Sequence, residues 1–534
     1  MIFISFFYLS FAISAFFSLI IIFRGIFNII KLSSNTKWLL RDFSLNKKVP
    51  LYQFDFHICI PMLREQSIVK ETLEYFSNLN YPKNKLHIYV VTTQREVKEK
   101  EDNYILVNDL VKDISKGLTT SVLFSKYGNL FPLADLELIS GKLRGKSKAE
   151  IETEVWNLYK TMPTTNELAK QYADVINQRA KLSVIKVFDY TNPSGVMGHQ
   201  INFLIDHLDE NLQNRDSAFF AIYNADSRPN RSTLTSVNNA VLAFEKHTNY
   251  SPKVIQQSSL FEYANPIEKS FLIKSYLYSS SVFQSKWTLI HELSRLRYQS
   301  ESTLKINPND FKSLLKSRLS HCVGHGLFIR YDFLSASRIP TETVNEDLPY
   351  GFYQSCMGEP IVPIPMLEIS DSPVSVKSLI NQKRVWFWPY IEYWKCRNIM
   401  LKSKSFRSKF EVNFLAIQGI IVGLIWIMQS LIFIFPILIA IILANQYLLL
   451  IYLIAIFLYW VIPLIMICLF LRKLANLDSF YQPFLLKYRK QLITSLAFGL
   501  VVIWTHSIGP FLCVIDYINN KYFYAPIIKN KTNR

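Results

Sequence analysis

The sequence predicts a mainly parallel, Rossmann-like α/β domain held between membrane helices. Three observations carry this reading. Short β-branched runs alternate with amphipathic stretches between about 51 and 400, apolar runs of bilayer length stand at both ends, and basic residues crowd beside those runs. Across 534 residues the hydrophobic share is 50%, the charged share only 19% and mean hydropathy +0.14, a balance unlike that of a wholly water-exposed enzyme. The formal charge of +18 would suit nucleic acid. No zinc finger, basic-aromatic repeat or helix-turn-helix accompanies it, however, and many lysines and arginines flank apolar spans, where they meet anionic headgroups. The expected partner is therefore a lipid bilayer and not nucleic acid. Six cysteines (Cys59, Cys322, Cys356, Cys396, Cys468, Cys513) form no C-x-x-C pair and imply a reduced main domain without disulfides.

Residues 2–23 are almost unbroken apolar sequence, near the roughly 20 residues that a bilayer core requires. The run is too long for a signal-peptide core and no small-residue cleavage site follows, so 1–30 reads as an uncleaved anchor. Arg24, Lys31, Lys37, Arg41, Lys47 and Lys48 follow it, which places the downstream domain in the cytosol and the amino end outside. Runs at about 412–443, 447–471 and 491–515 predict a carboxyl-terminal helical bundle over 411–517. Lys402, Lys404, Arg407 and Lys409 precede the first run. Arg472, Lys473, Lys487, Arg489 and Lys490 lie between the second and third, predicting two crossings and a cytosolic amphipathic connector at about 472–490. Gly499, His506 and Pro510 leave two readings of the last run: a single crossing, or a re-entrant pair returning Lys521, Lys529, Lys531 and Arg534 to the cytosol. The expected setting is the plasma (inner) membrane, multi-pass.

Within 51–400, residues 56–60, 86–91, 183–190, 219–224 and 254–258 read as buried strands, with helices at 196–208 and 231–245. Residues 95–180 break the alternation and read as a partly helical insertion, and 375–400 as an amphipathic helix lying on the membrane bundle. Ligands of such sheets bind at the carboxyl ends of the strands, so the residues just after each strand are the candidates.

Asn224-Ala-Asp226 follows a predicted strand directly. A carboxylate there can share a hard divalent cation, Mg²⁺ or Mn²⁺, with a diphosphate; a plain turn before Pro229 is the structural alternative. Glu346-Asp347 stands ahead of a predicted helix at 348–356, where a carboxylate can take the proton of an attacking hydroxyl or merely cap the helix. His321-x-x-x-His325 has metal-ligand spacing, but Gly324 between them opposes a helix and no zinc-protease glutamate is present. Trp386-Phe-Trp-Pro-Tyr390 reads as an interfacial belt or a sugar platform.

In order and spacing these segments resemble the family 2 glycosyltransferases, specifically their membrane-embedded, polysaccharide-synthase-like members. The resemblance runs from about 53 to 390. Ile60-Pro-Met-Leu-Arg-Glu65 is similar to the family's opening I-P-x-x-x-E, and Tyr81-Pro82 to its Y-P. The run from Gly195 to Asn202 resembles its G-K-x-x-x-x-N helix, Asn224-Ala-Asp226 its D-x-D, Gly324-His-Gly326 its acceptor-side G-T-G loop, Glu346-Asp347 its E-D, and Gln382-Lys-Arg-Val-Trp386 its Q-x-x-R-W. Departures stand beside the matches. Val91-Thr-Thr-Gln94 replaces the aspartate-rich nucleotide-binding segment, Asn224 replaces the first metal-motif aspartate, His199 stands near the usual lysine, and Arg384 is one place early.

The resemblance implies a GT-A-like cytosolic domain that moves a sugar, with inversion, from a nucleotide-sugar donor to a growing glycan or lipid-linked acceptor in cell-surface polysaccharide synthesis. A UDP-sugar is the expected donor. It implies Asp347 as catalytic base with Glu346 beside it. Donor contacts would come from Pro61, Glu65, Thr92, Thr93, His199, Asn224, Asp226, Gln382 and Arg384, and acceptor contacts from Gly324, His325, Gly326 and Trp386. Asp226 and Asn224 would hold the Mg²⁺ or Mn²⁺. A second copy of the chain or an export partner is compatible with this reading. Single-sugar transfer to a polyprenyl lipid, and a non-catalytic membrane scaffold on a degenerate version of the fold, remain the alternatives.

Overall fold

The computed structural model describes residues 2–45, 52–128, 130–143, 145–181, 184–192, 196–210, 212, 214–263 and 270–523. Lys47, Lys48, Ser183, Gly195, Lys529, Lys531 and Arg534, named above, lie outside the described residues. The strands are β1 (Asp55–Pro61), β2 (Leu86–Thr93), β3 (Ile185–Tyr190), β4 (Ala218–Ile222), β5 (Val254–Gln256), β6 (Ser259–Glu262), β7 (Leu327–Arg330), β8 (Ile361–Pro363) and β9 (Glu368–Asp371). Seven form one sheet in the order β3-β2-β1-β4-β7-β5-β8, parallel except at β7, which runs antiparallel to β4 and β5. The middle of β1 and all of β4 are buried because helices cover both faces, which is why they read as continuous apolar runs without alternation. β6 and β9 pair in a small second sheet beside it.

Several boundaries differ from the sequence reading. The run at 254–258 holds one strand: β5 ends at Gln256, and Gln257 and Ser258 carry the chain across to β6, which begins at Ser259 in the other sheet. β4 stops at Ile222, so Asn224 and Asp226 stand beyond the strand end. The insertion is not partly but almost wholly helical. Six helices run from Arg95–Asp102 to Thr165–Ala180; the middle ones bury Val107, Leu110, Phe131, Val155 and Tyr159 in a cluster shared with Tyr263, Leu277 and Leu379, while Ala169, Ala173 and Ile176 of the last join the core of the main sheet. Local caps support this: Ser147 with Glu150 and Thr164 with Glu167 form capping boxes, each satisfying helix-start donors that a looser segment would leave to water.

Among the described residues, four segments are long and apolar enough to cross a membrane: Tyr8–Ser44, Lys409–Ile442, Gln446–Leu477 and Ser479–Lys521. The predicted anchor is the first part of one continuous helix, Ile2–Leu45, which carries the basic residues Arg24, Lys31, Lys37 and Arg41 on the same rod. The predicted connector at 472–490 is no separate element. The helix ending at Leu477 turns sharply at Asp478, whose side chain accepts from Phe480 N, and Pro483 starts the next helix, Gln482–Thr505. The last apolar run does break, at His506 and Ser507, and its second half, Ile508–Phe523, packs along the Val376–Ser403 helix.

Small residues set these close approaches. A Cβ on Gly419 or Gly423 would stand 2.4 or 2.8 Å from the rings or Cβ of Tyr393 and Tyr390 on the Val376–Ser403 helix, and one on Gly499 would lie 2.1 Å from buried Trp460. The sheet and the membrane helices share one core: Phe56, Phe219 and Phe328 from the strands and Trp460, Tyr481 and Phe484 from the bundle belong to the same apolar cluster.

Candidate functional site

A cavity of about 660 Å³ opens at the carboxyl ends of β1, β2 and β4 and continues between the membrane helices. The strand-end rule locates it: Pro61 and Glu65 after β1, Thr93 at the end of β2, and Asn224 and Asp226 after β4 all line it. The loop before β7 contributes Gly324 and His325, the start of the Asp347–Met357 helix contributes Glu346 and Asp347, and the interface helix contributes Gln382 and Trp386. Eleven of the residues that the sequence singled out thus meet around one space, although they span more than 300 positions of the chain.

The two acidic motifs are fixed differently. Asp347 Oδ2 accepts from Gly324 N at 2.9 Å and Oδ1 from Leu348 N at 2.8 Å, so the carboxylate is clamped between the loop and its own helix. Gly324 is needed close by: an added Cβ would stand 3.4 Å from Asp347 Oδ2 and 3.3 Å from Met197 Cε. Glu346 occupies the helix N-cap position without a side-chain capping bond, whereas Asp347 meets an N–H at the start of its own helix, so part of the capping alternative is present in Asp347. Asp226 is buried in the turn after β4, where Thr72 Oγ1 donates to the Ala225 carbonyl and Ser227 N to the Asn224 carbonyl.

Four other candidates sit elsewhere, for periodic reasons. On β2, Thr93 faces the cavity and Thr92 the opposite side, where its Oγ1 donates to Asp189 Oδ1 at 2.9 Å and accepts from Asn166 Nδ2 at 2.6 Å. On the interface helix Gln382 and Trp386 are four apart and share a face. Arg384, about 200° round the helix from Gln382, instead pairs through its guanidinium with Asp516 of the last helix. His199 also stands off the cavity, its Nδ1 accepting from Val196 N at 3.3 Å. Gly326 lies behind His325 at φ +62, its backbone pressed against Gln257 (an added Cβ would be 2.8 Å from Gln257 Cβ), which explains the glycine. Thr92, His199, Arg384 and Gly326 thus do not line the cavity.

His321 and His325 diverge as the loop reading expects. His321 Nε2 meets the Tyr393 hydroxyl at 2.8 Å, whereas His325 Nδ1 contacts Glu368 and Ser259 Oγ. Burial disfavours charge on His325, but Glu368 in contact, and Glu292 and Asp226 further off, carry its pKa above the ordinary histidine value. A histidine raised by folding contributes stability that is full below its unfolded value, near 6.5, and is lost as pH rises through the folded one. The melting temperature is therefore expected to fall on the alkaline side, and His325→Gln to flatten that fall. An unchanged alkaline slope in the variant would dismiss the pair as its source.

The sequence analysis does not single out Gln256, which shapes the loop from Val323 to Gly326. Its Oε1 accepts from Val323 N at 2.9 Å and its Nε2 donates to the His325 carbonyl at 3.0 Å. It also missed Asp371, paired with Arg228, and the basic residues Arg24, Lys31 and Arg295 that line the membrane side. Among the described residues no group of three or more His, Cys, Asp or Glu is arranged to hold a metal. Asp226 with Asn224 suits an oxygen-preferring divalent cation only if a diphosphate supplies further ligands, which is how Mg²⁺ is ordinarily held.

No family model and no curated protein matches the chain. Among solved structures, it is similar to the mannosyltransferase PcManGT from Pyrobaculum calidifontis in complex with GDP-Man and Mn2+, at 11% identity and a TM-score of 0.37 over 89% of this chain and 99% of that one. It is also similar to S. aureus TarS 1-349, at 12% identity and a TM-score of 0.28 over 64% of this chain and 65% of that one. The same TarS fragment in complex with UDP-GlcNAc aligns at 11% identity and a TM-score of 0.27 over 84% and 91% of the two chains.

Proposed function

We propose that the chain is an inverting membrane glycosyltransferase, family 2-like, that moves a sugar from a nucleotide-sugar to a hydroxyl of a glycan or lipid-linked acceptor at the plasma membrane. One observation carries the reading: Asp226 and Asp347, from motifs more than a hundred residues apart, face the same cavity at the carboxyl ends of parallel strands. Asp347, held by Gly324 N and Leu348 N, accepts the proton of the acceptor hydroxyl as its oxygen bonds to the anomeric carbon. The bond from that carbon to the diphosphate breaks on the opposite side, and the nucleoside diphosphate leaves with the electron pair. Asp226 and the Asn224 turn would hold Mg²⁺ or Mn²⁺, which when bound neutralises charge on the departing diphosphate. Gln382, which lines the cavity, would donate to the diphosphate, and Trp386, edge-on to Phe261 at 6.4 Å, would offer the acceptor sugar an aromatic face.

Screening the purified full-length chain against a panel of UDP- and GDP-sugars, with released nucleoside diphosphate as the readout, tests the reading. A metal-dependent release with one donor is expected. No release and no nucleotide binding with any donor would leave the scaffold alternative in its place. Orientation has its own test. A cysteine replacing exposed Lys98 is expected to label only from the cytosolic side, because carrying the basic cluster outward is opposed by about 2.3 kcal/mol per charge per 100 mV. Labelling of Lys98→Cys from outside intact cells would separate the cavity from its donor.

A further inference from the structure

Between the Leu293–Ser302 helix and the loop that carries Gly324, the chain exposes large apolar side chains beside basic ones. Tyr298, Leu304, Phe311 and Leu315 stand open to the surroundings, Phe311 at 58%. Lys305, Lys312, Lys316 and Arg318 are exposed among them. Local structure enforces this mixture. Asp310 caps the short Phe311–Leu314 helix by accepting from Lys312 N at 3.0 Å, and Ser313 Oγ accepts from Asn307 N at 2.9 Å. Ser313, Leu314 and Ser317 are buried, so helical periodicity leaves Phe311, Lys312, Leu315 and Lys316 on the outer side. Arg318 folds back over Tyr298, its guanidinium 5.3 Å from the ring centroid.

This outer side continues onto a candidate membrane span. The Phe311 and Phe410 rings lie 4.8 Å apart and Phe410 stacks on Phe414 at 5.9 Å, both in the first two turns of the Lys409–Ile442 helix. Side-chain bonds fix the two segments against each other. Ser317 Oγ donates to buried Glu411 Oε1 at 2.6 Å, while Gln418 Nε2 donates to the Ser317 carbonyl at 2.9 Å and its Oε1 accepts from Leu319 N at 3.2 Å. Arg407, paired with Glu411, donates to the Thr303 carbonyl at 2.7 Å. The segment therefore runs beside the helix from Phe410 to Gln418. Ile417, Ile421 and Leu424 begin the exposed aliphatic side of that span. Phe414 and Phe410 precede Ile417 by about 5 and 10 Å of helix, and a headgroup layer is about 5–8 Å deep on each side of the hydrocarbon.

Charge agrees with that depth. Lys402, Lys404 and Lys409 stand exposed just before the same helix, so the two segments, 298–318 and 402–410, present seven exposed cations. Their exposed carboxylates are Glu301 and Asp310. Glu301 lies 4.0 Å from Arg297 and Asp310 is engaged in its helix cap, so neither neutralises the surface. Rings and aliphatic chains beside lysines suit the headgroup–acyl boundary of an anionic leaflet, where each kind of group meets its own solvent. A water-borne protein could not reach a surface at that depth without displacing lipid. We propose that residues 298–318, with Lys402, Lys404 and Lys409, form a docking surface for anionic phospholipids of the leaflet facing the catalytic domain. Phe311 and Leu315 enter the layer just below the headgroups, and the lysines meet lipid phosphates. The chain runs on from this surface within a few residues to Gly324, whose N–H holds Asp347, so lipid seats that loop as well. The surface binds lipid whatever the cavity transfers.

The full-length chain in nanodiscs tests this, in discs of phosphatidylcholine alone and in discs that also contain phosphatidylglycerol. A nitrobenzoxadiazole dye on Phe311→Cys or Leu315→Cys reports lipid or water at each position, with the parent chain labelled in parallel as background. In the phosphatidylglycerol discs the emission is expected to shift to the blue and to be quenched by nitroxide-labelled lipid, more strongly than in phosphatidylcholine. Combining Lys312→Gln with Lys316→Gln is expected to remove most of that difference, since each basic residue at an anionic surface contributes about fivefold to lipid affinity. Combining Lys312→Arg with Lys316→Arg is expected to keep it, which separates lost charge from local damage. Water-like emission at both positions in both kinds of disc overturns the docking surface. An equal blue shift in both, unmoved by the glutamine variants, overturns the anionic-lipid assignment. A shift that appears only in discs holding two chains gives the surface to a second copy and overturns lipid docking.

Discussion

Asp347→Asn is expected to abolish sugar transfer while leaving donor affinity within about twofold, since the amide keeps the shape of the carboxylate but cannot take a proton. Both backbone donors that fix Asp347, Gly324 N and Leu348 N, can still be accommodated by one amide oxygen and a rotated side chain, so the fold is expected to hold. General-base contributions are typically about 10²–10⁴-fold, and single-turnover release of nucleoside diphosphate from a saturating donor measures the loss directly. Turnover within about tenfold of the parent would move the base elsewhere. Glu346 is the neighbour to test next, because it lines the same cavity.

Asp226→Ala is expected to act on the other half of the reaction. Transfer is expected to drop by about 10²-fold or more, because a cation polarising a phosphoryl oxygen stabilises the developing charge by several kcal/mol. Unlike the Asp347 variant, it is also expected to lose the metal dependence of donor binding, and excess Mn²⁺ to restore only part of it. Titrating nucleotide with and without EDTA distinguishes the two variants. Identical EDTA sensitivity in parent and Asp226→Ala would place the cation, if the reaction uses one, on other ligands.

What the sequence made legible follows from how local each signal is. That Pro61, Asn224 and Asp226 line the cavity is legible because a buried strand followed by a turn is a contiguous pattern, and strand ends of a parallel sheet share one edge. The position of Asp347 ahead of a helix is a local pattern of the same kind. Arg384 stands off the cavity because a motif spacing fixes sequence distance only, whereas a helix turns about 100° per residue and sends a one-place shift to another face. Gln256 was invisible because its partners, Val323 and His325, are some seventy residues away and a glutamine at a strand end carries no pattern of its own. Arg24 and Lys31 were seen but read as topology signals; that they also line a cavity depends on the anchor helix continuing unbroken to Leu45, which no local rule indicates. Arg295 follows a π-helical turn at Thr288–Glu292, which shifts the helical phase by which its face would otherwise be read.

The core shared by sheet and bundle also bears on the order in which the chain can be finished at the ribosome. The Phe271–Trp287 helix, against which β6 lies, has its most extensive packing with the Gln482–Thr505 helix, nearly two hundred residues later. Tyr481 reaches back over 114 residues, its hydroxyl donating to the Leu367 carbonyl at 2.8 Å and accepting from Leu367 N at 3.1 Å. The main sheet and the helices that cover it emerge first, but the Phe271–Trp287 helix and β6 lack their carboxyl-terminal partners until the final membrane segments have been inserted, and contacts of such sequence separation form slowly. Nascent chains arrested before about residue 480 are therefore expected to remain protease-sensitive across the Phe271–Trp287 helix. The cavity acquires its shape only at the end of synthesis, when the membrane segments that wall it are in place.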